Sequence, residues 1–522
     1  MSTELIKTPI PFLMMGLYLL IVVGLSMRAV IRQKIARGGK ERSFEDFYTG
    51  NKSMSAFVVG LVTIVTFYSG TTFTGRVGFF YNYGVVALTT LFSSATSGVI
   101  MFFLAEKVWP ISKRYHCSTL SDMMELRYQR RYVKLLTSLI IVSFNIIWLI
   151  TEIRTLGLIV NVASAGRISA VAGSIAAFTV IIVYVCTGGI HSVAAVDSFS
   201  SLLMLAGSVV AVVYLIAHFY HGNLAEMFRL GLEANPDLWV VSNQGTYGFP
   251  YWFSSIIVST VVMLVYPSNY MSICLGKSVK EVKKASIAAA FSGPWLVIYG
   301  VIAAAALGLK GQGIQIANPE SAFLEMLSYS GNGLMLGLVT TFILAASLGT
   351  LDSTLISLSG ILANDVVMNV VQMKRKVPCI GSAKAAEMKK EAGIGNEVTI
   401  TRLLIIFLGV MALYLSTKQL TLMVLLANYA SNGLLQVVPA VMGGLYWKKA
   451  TPQAAVASML SGVGTYLVLD TVKRVVFHGA ETFFGGYFLG IPAVAVGTMV
   501  LIAVSLAGNT KTQETIAEDF FK

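Results

Sequence analysis

Charged residues are scarce in this chain, and their scarcity excludes a soluble protein. Of 522 residues, 12% are charged and 56% are hydrophobic, whereas soluble domains carry about 25% charged residues. A chain this apolar cannot cover its surface with polar groups, so the lipid bilayer is its solvent. The net charge of +13 comes without a nucleic-acid-binding motif, and we expect no nucleic-acid partner.

Cysteine and histidine are also rare. The five histidines have no HExxH or similar spacing, which argues against a transition-metal site. The cysteines form no CxxC pair, so we expect free thiols, no disulfide framework and no cofactor. Neither residue type provides a catalytic dyad by its spacing, and we expect no enzymatic activity. The four cysteines are Cys117, Cys186, Cys274 and Cys379.

Long apolar runs, in contrast, are abundant. A spanning helix needs about 20 mostly apolar residues, and thirteen windows meet that rule. The first window lacks the basic leader and cleavage site of a signal peptide, so it is predicted to be a permanent helix. The predicted fold class is an all-α polytopic membrane protein with about 13 transmembrane helices. The windows lie near 11–31, 55–82, 85–106, 135–161, 168–187, 196–218, 252–275, 285–308, 333–367, 399–416, 419–446, 452–470 and 484–508.

The distribution of lysine and arginine orients the predicted helices. Loops on one side of the thirteen spans, together with the C-terminal tail, hold 29 of the 38 basic residues, Lys134 among them. The alternate loops, including the long segment 219–251, have few. Because basic loops stay in the cytoplasm, we expect the N-terminus outside, the C-terminus in the cytoplasm, and the chain in the plasma (inner) membrane.

Two predicted helices are interrupted well inside their apolar runs. The second window contains the small and polar stretch 69–72, and the seventh contains Pro267 followed by Ser268 and Asn269. These windows begin two blocks of five spans, 55–218 and 252–446. In transporters with inverted repeats, paired interrupted helices in the two halves mark the binding site. Ordinary glycine packing and a proline kink are the alternative interpretation.

Five stretches, in order along the chain, resemble the sodium:solute symporter family, whose members carry proline, pantothenate, sugars, sialic acid and monocarboxylates. The first resembles the polar lead-in to the family's first core helix, and the second its glycine-rich outer half. The third resembles the turn between the fourth and fifth core helices, the fourth the eighth core helix, and the fifth the end of the tenth. They read DFYTGNKSMSAF at 46–57, FTGRVGFFYNYG at 73–84, GGIHSVAAVDSFSSLLMLAG at 188–207, AASLGTLDSTLISLSGILAND at 345–365 and PAVMGGLYWKKAT at 439–451.

This resemblance covers about residues 44–470 and implies a LeuT-type fold. Such a fold has ten core helices in a 5+5 inverted repeat, here with one extra helix before the core and two after it. Alternating access would follow when one helix bundle rocks against the rest. The implied segments are an N-terminal helix and cytoplasmic loop (1–54), the first repeat (55–218), an extracellular loop (219–251), the second repeat (252–446), and two C-terminal helices with a cytoplasmic tail (447–522).

The resemblance also implies a sodium site between the first and eighth core helices. Carried onto this chain, Val65, Tyr68 and Ala346 offer carbonyl oxygens, and Thr350 offers a hydroxyl. The family often has two adjacent hydroxyl residues at this point, whereas this chain has Gly349 before Thr350. The departure leaves three alternatives: another oxygen replaces the missing one, sodium coupling is weakened, or protons are the coupling ion.

Asp197 matches an acidic residue that supports a further sodium in some family members, with Asp352 and Ser353 as its implied partners. Its neighbours Val196 and Ser200 depart from the family's usual Thr and Gln. A buried carboxylate pair repels unless a cation lies between the two groups or one of them is protonated. Since ionisable residues inside a membrane are costly and usually functional, we favour an ion or proton role over a helix-packing hydrogen bond.

Three further charges lie well inside predicted spans, away from the span ends: Arg76, Glu152 and Arg154. A central arginine costs at least ~2.5 kcal/mol on insertion scales, and its planar fork suits a carboxylate. Either arginine is a candidate for holding an anionic substrate, with Glu152 as a partner or gate. An internal salt bridge is the alternative. The leading substrate class is therefore an organic anion such as a monocarboxylate, or an amino acid.

The predicted function is secondary active transport, in which a small organic solute enters the cell together with sodium. A proton-coupled symporter of the same fold and a non-transporting solute sensor are the alternatives. The expected partners are the solute, sodium and the lipid bilayer, and the sequence carries no signal for the oligomeric state. The resemblance implies further solute-pocket residues beside the helix interruptions and on the tenth core helix: Phe67, Thr71, Tyr266, Ser268, Ser431 and Asn432.

Overall fold

Helices make up the regular structure of the protein, seen in a computed structural model. The structure describes residues 8–38, 42–241, 247–375, 378–380, 396–418, 422–479, 483–508 and 520–521. Within these ranges it contains no strand, and a single isolated bridge joins Met54 to Gly276. A helix satisfies its backbone hydrogen bonds internally, as a chain in lipid requires. The all-α class predicted from the sequence is confirmed.

The α-helices of the described ranges are numbered here in chain order. In the first half they are α1 (Ile10–Ala36), α2 (Phe44–Thr49), α3 (Ala56–Phe67), α4 (Gly70–Phe73), α5 (Gly75–Tyr83), α6 (Thr90–Tyr115), α7 (Leu120–Tyr128), α8 (Arg131–Ala163), α9 (Ala170–Tyr220), α10 (Leu224–Ala234) and α11 (Phe249–Val261). In the second half they are α12 (Pro267–Leu275), α13 (Val279–Phe291), α14 (Val297–Gly311), α15 (Ala322–Tyr329), α16 (Gly333–Ile361), α17 (Met368–Lys374), α18 (Glu397–Ser416), α19 (Met423–Leu434), α20 (Val438–Tyr446), α21 (Pro452–Val475) and α22 (Gly490–Ala507).

Helix α16 is the centre of the molecule. Its most apolar window is 83% buried within the protein, compared with 28% for α21 and for α22. The side chain of Asn332 starts the helix by accepting hydrogen bonds from the backbone N–H groups of Leu334 and Met335, which satisfies two donors that would otherwise lack partners. Such a buried helix contacts protein rather than lipid, so its polar residues face other helices.

The described ranges contain eight helices long and apolar enough to cross a membrane, or up to ten when each bent pair is taken as one span. This finding supports a multi-pass membrane protein. The number thirteen stays a prediction, and part of the difference lies in α9. That element holds two predicted windows in 51 residues and leaves helical geometry at Gly189 (φ 55°, ψ −152°), a conformation that glycine adopts without steric cost.

A buried ionic cluster joins α7, α8 and the π-helical turn Leu362–Val367 that follows α16. The Nζ atom of Lys134 lies 2.6 Å from Asp122, 3.3 Å from Glu125 and 3.4 Å from Asp365. Lys134 and two of these three carboxylates are fully buried, and Asp122 is 3% exposed. We call these four residues the Lys134 cluster. Lys134 was predicted to lie in a basic loop, and the structure shows instead that it is an internal charge.

Candidate functional site

Both helix interruptions predicted from the sequence are present. The first separates α3 from α4 at Tyr68, whose backbone is non-helical (φ −99°, ψ 68°), and the helix bends there by 50°. The second precedes α12, where the chain bends by 43° and Pro267 occupies the first helical position. Gly70 is needed at the first break, because a Cβ atom there would collide with the hydroxyl of Ser347 on α16. In membrane transporters, breaks of this kind free backbone groups that can bind ligands.

Several oxygen atoms converge on Thr350 at the first break. The Thr350 hydroxyl lies 3.1 Å from the carbonyl oxygen of Val65, 3.4 Å from that of Thr66 and 3.2 Å from that of Ala346. The structure thus brings together three of the residues predicted for sodium, and it adds Thr66. Tyr68 is adjacent, and its hydroxyl donates to the carbonyl of Ser292. A group of neutral oxygens from two facing helices can replace the hydration shell of sodium.

Gly349 marks the tightest approach beside this group of oxygens. A Cβ atom there would lie 2.7 Å from both methyl groups of Val65 and 2.9 Å from Oδ1 of Asp197. A side chain at this position would therefore require Val65 and Asp197 to shift. The packing in this chain thus matches glycine rather than a second hydroxyl residue.

The two predicted carboxylates lie together on the other side of Gly349. The Ser353 hydroxyl donates to Oδ2 of Asp197 over 3.1 Å, and its backbone N–H donates to Oδ1 of Asp352 over 2.6 Å. Tyr184, which sequence analysis did not select, donates its hydroxyl to Asp352. Both carboxylates are fully buried, and Oδ1 of Asp197 has no hydrogen-bond partner among the described residues.

A cavity of about 70 Å³ lies between the two helix breaks. This volume is small, so a solute fits only after side chains or helices move, as alternating access requires. Five of the residues predicted for the solute line it: Phe67, Thr71, Arg76, Tyr266 and Ser431. Sequence analysis missed other lining residues, of which the polar or aromatic ones are Thr66, Ser69, Trp148, Thr151, Ser255, Ser259 and Asn428. Of these, Trp148 lies one helical turn before Glu152, and that spacing is a usable signal.

The other four residues predicted for the solute do not line the cavity. Glu152 lies behind it and accepts a 3.0 Å hydrogen bond from Thr71. The guanidinium of Arg154 lies 3.2 Å from Glu320, as expected for the internal salt bridge left open above. Asn432 accepts a 2.9 Å hydrogen bond from the backbone of Gly490, and Ser268 is buried away from the cavity.

Arg76 faces the cavity from α5 with an unsatisfied donor. Its Nη1 atom is buried and has no hydrogen-bond partner among the described residues. Arginine cannot shed its charge in a protein, and leaving a buried charged donor unpaired costs free energy. The arrangement is therefore suited to an anionic group that enters the cavity and accepts hydrogen bonds from the guanidinium.

This chain is similar to one known protein family and to several known proteins. The sequence model of the sodium:solute symporter family matches residues 47–462. The chain is 22% identical over 511 residues to the sodium/pantothenate symporter of Escherichia coli (strain K12), covering 96% of this chain and 97% of that protein. It is 23% identical over 514 residues to the sodium/proline symporter of Staphylococcus aureus, covering 95% of this chain and 92% of that protein.

Two solved structures are similar to the whole chain. A sodium-coupled sialic acid symporter in a substrate-bound, outward-open state matches with a TM-score of 0.74 at 17% identity, covering 97% of this chain and 98% of that one. Mhp1, a transporter of the nucleobase-cation-symport-1 family, matches with a TM-score of 0.54 at 14% identity, covering 91% and 98%. These similarities confirm the LeuT-type fold. The boundaries of the two repeats and the sodium and solute residues stay predictions.

Proposed function

Because the chain belongs to the sodium:solute symporter family, we propose that it is a secondary active transporter that takes up a small organic anion together with sodium. The anionic charge of the proposed solute is inferred from Arg76, whose buried Nη1 donor faces the cavity and has no hydrogen-bond partner among the described residues. Pantothenate, proline and sialic acid, named for similar proteins, each contain a carboxylate. A carboxylate bound to the guanidinium fork of Arg76 forms charge-assisted hydrogen bonds.

Sodium is the proposed coupling ion, bound at the oxygens around Thr350. The site uses the hydroxyl of Thr350 and the carbonyls of Val65, Thr66 and Ala346. Because these oxygens come from both α3 and α16, an ion between them stabilises one arrangement of the two helices. Binding that favours one arrangement shifts the population toward it. Sodium thereby couples to the exposure of the solute cavity.

The proposed direction of transport is inward across the plasma membrane. The bias of lysine and arginine toward one set of loops supports cytoplasmic loops on that side, with the N-terminus outside. The sodium gradient across such a membrane drives the solute into the cell. Rocking of the helices around the two breaks then exposes the cavity to each side in turn.

Proton-coupled uptake is the second candidate, and the carboxylate pair favours it. Asp197 and Asp352 are fully buried and have no basic partner within 4 Å among the described residues. The charge of such a buried pair can be reduced by a proton as well as by a cation. If protons drive transport, replacing sodium by potassium leaves the solute response intact, and a change of pH alters it.

One thermal-stability experiment tests the proposed function. We expect sodium to raise the melting temperature of the purified protein relative to potassium, because a ligand that binds only the folded state stabilises it. One carboxylate from a panel of carboxylates, amino acids, sugars and vitamins should deepen this effect. Thr350→Ala should remove the sodium response. Thr340→Ala is the matched control, since its hydroxyl bonds only to backbone carbonyls of α16. A full sodium response in Thr350→Ala contradicts the assignment.

The contacts of Glu320 can be used to test whether the cavity is closed on the predicted extracellular side. One of its carboxylate oxygens pairs with Arg154 on α8 at 3.2 Å, and the other accepts a 2.9 Å hydrogen bond from the backbone N–H of Met423 at the start of α19. We expect Glu320→Gln to weaken this contact and increase outward opening. A cysteine replacing Asn428 in the cavity, in a background without the native cysteines, should react several-fold faster with a membrane-impermeant thiol reagent. An unchanged rate means that the contact does not close the cavity.

A further inference from the structure

Glu152 is a buried carboxylate, and no described residue forms an ion pair with it. It lies on α8 and is 1% exposed. No lysine, arginine or histidine of the described ranges lies within 4 Å of its oxygens, as the ion pairs of the region involve other acids. Arg76 and Tyr266 are the charged and titratable groups that face it from α5 and from the start of α12. An ionisable group at this depth in a membrane protein indicates a functional site.

Hydroxyl groups surround this carboxylate. Thr71 donates to Oε1 over 3.0 Å, and the hydroxyls of Ser69 and Thr71 are 2.5 Å apart. The Ser347 hydroxyl faces Gly70, the residue between Ser69 and Thr71. Two oxygens, Oε2 of Glu152 and Oγ of Ser347, are buried and have no hydrogen-bond partner in the described part of the chain. A group of carboxylate and hydroxyl oxygens with unused lone pairs is the donor set that a hard cation prefers.

The oxygens around Glu152 lie beside the solute cavity, and this position indicates their role. Ser69 and Thr71 line the cavity, and Thr71 bonds both to Ser69 and to Glu152. A solute carboxylate bound at Arg76 therefore lies on the same side of the broken helix as the carboxylate of Glu152. Two like charges in a water-poor interior repel strongly. A cation beside Glu152 removes that repulsion, and by linkage the solute then strengthens cation binding by the same factor.

We propose that Glu152, Ser69, Thr71 and Ser347 form a second sodium site, whose ion offsets the charge of Glu152 and faces the anionic solute. This inference rests on the proposed function and deepens it. Ser347 and Thr350 lie three residues apart on α16, so the two sodium sites are separated by about one helical turn, or ~4.5 Å of rise. Glu152 supplies the negative charge that lets two cations bind so close together. Both sites lie at the break between α3 and α4, so both ions bind to the same interrupted helix.

Binding of radiolabelled sodium to the purified protein, without any solute, tests the site. We expect Glu152→Gln to bind one sodium ion fewer per chain than the unmodified protein, and Glu152→Asp to retain that ion with weaker affinity. Ser347→Ala keeps the carboxylate and so preserves the fold, and it should raise the half-saturating sodium concentration about ten-fold. Ser359→Ala on the same helix is the control, because its hydroxyl bonds to the carbonyl of Ile356.

The outcomes separate this inference from the proposed function. Sodium binding by the unmodified protein with an unchanged count in Glu152→Gln overturns the second site and leaves sodium coupling standing. A proton released or bound at Glu152 in place of sodium, seen as a pH-dependent solute affinity that Glu152→Gln abolishes, has the same effect. No sodium binding to the unmodified protein overturns both. If Glu152→Gln fails to fold, the sodium titration of Ser347→Ala decides, and wild-type affinity in that variant contradicts the site.

Discussion

Replacing Arg76 by glutamine is expected to lower the affinity for an organic anion by about 30- to 4,000-fold. This range corresponds to the roughly 2–5 kcal/mol lost when one partner of a buried charge pair is truncated. The effect is large because the solute supplies the acceptor that buried Nη1 of Arg76 lacks in the described part of the protein. Equilibrium binding of the carboxylate identified in the thermal-stability panel, measured at saturating sodium, gives the affinity.

Two comparison variants sharpen this test. Arg76→Lys keeps the charge but loses the planar fork, so it should recover only part of the affinity. Arg154→Gln removes an arginine that pairs with Glu320 and does not line the cavity. It should therefore alter transport rate more than solute affinity. An Arg76→Gln protein that binds the carboxylate within two-fold of the unmodified protein would show that the anion binds elsewhere.

Replacing Lys134 by methionine is expected to destabilise the protein by about 3–5 kcal/mol, the usual cost of removing one partner from a buried ion pair. The substitution leaves three buried carboxylates without the ammonium group that lies within 3.4 Å of each. Thermal unfolding in detergent and the folded yield after solubilisation measure the loss. The cost comes from stranded charge rather than lost packing, because methionine fills a similar volume.

Two further variants test whether the loss of stability comes from the unpaired carboxylates. A double variant, Lys134→Met with Asp365→Asn, removes one stranded charge and should recover part of the stability. Lys284→Met removes an exposed lysine that pairs with Glu281 at 3.8 Å, and surface pairs contribute only about 0–1 kcal/mol. Equal losses in Lys134→Met and Lys284→Met would mean that the Lys134 cluster contributes no more than a surface pair.

The backbone features of the site could be predicted from the sequence because their causes are local. Stretch 69–72 and Pro267 interrupt apolar runs, and both helices bend there. The approach of Thr350 to the carbonyl of Val65 follows the family resemblance. In the sequence, Gly349 stands where the family often has a hydroxyl residue, so a sodium ligand is missing there. Only the structure shows that a Cβ atom at this position would lie within 3 Å of Val65 and Asp197.

Side-chain partners across the fold could not be predicted, because they depend on how the helices are rotated against one another. Glu320 lies in a polar segment with no motif, yet it is the partner of Arg154. Asn428 and Ser255 face the cavity, although nothing in their local sequence separates them from packing residues. Lys134 has the sequence context of a solvated loop, and its burial depends on carboxylates from two other segments.

The Lys134 cluster also constrains how the chain is made. Asp122 and Glu125 precede Lys134 by twelve and nine residues, whereas Asp365 follows it by 231 residues. At translation rates of about 5–20 residues per second, Asp365 leaves the ribosome roughly 12 to 46 seconds after Lys134. During that interval Asp122 and Glu125 are the carboxylates of the cluster that are available to pair with the lysine. The turn that follows α16 then adds Asp365, so the cluster is complete only when the two halves of the protein have met.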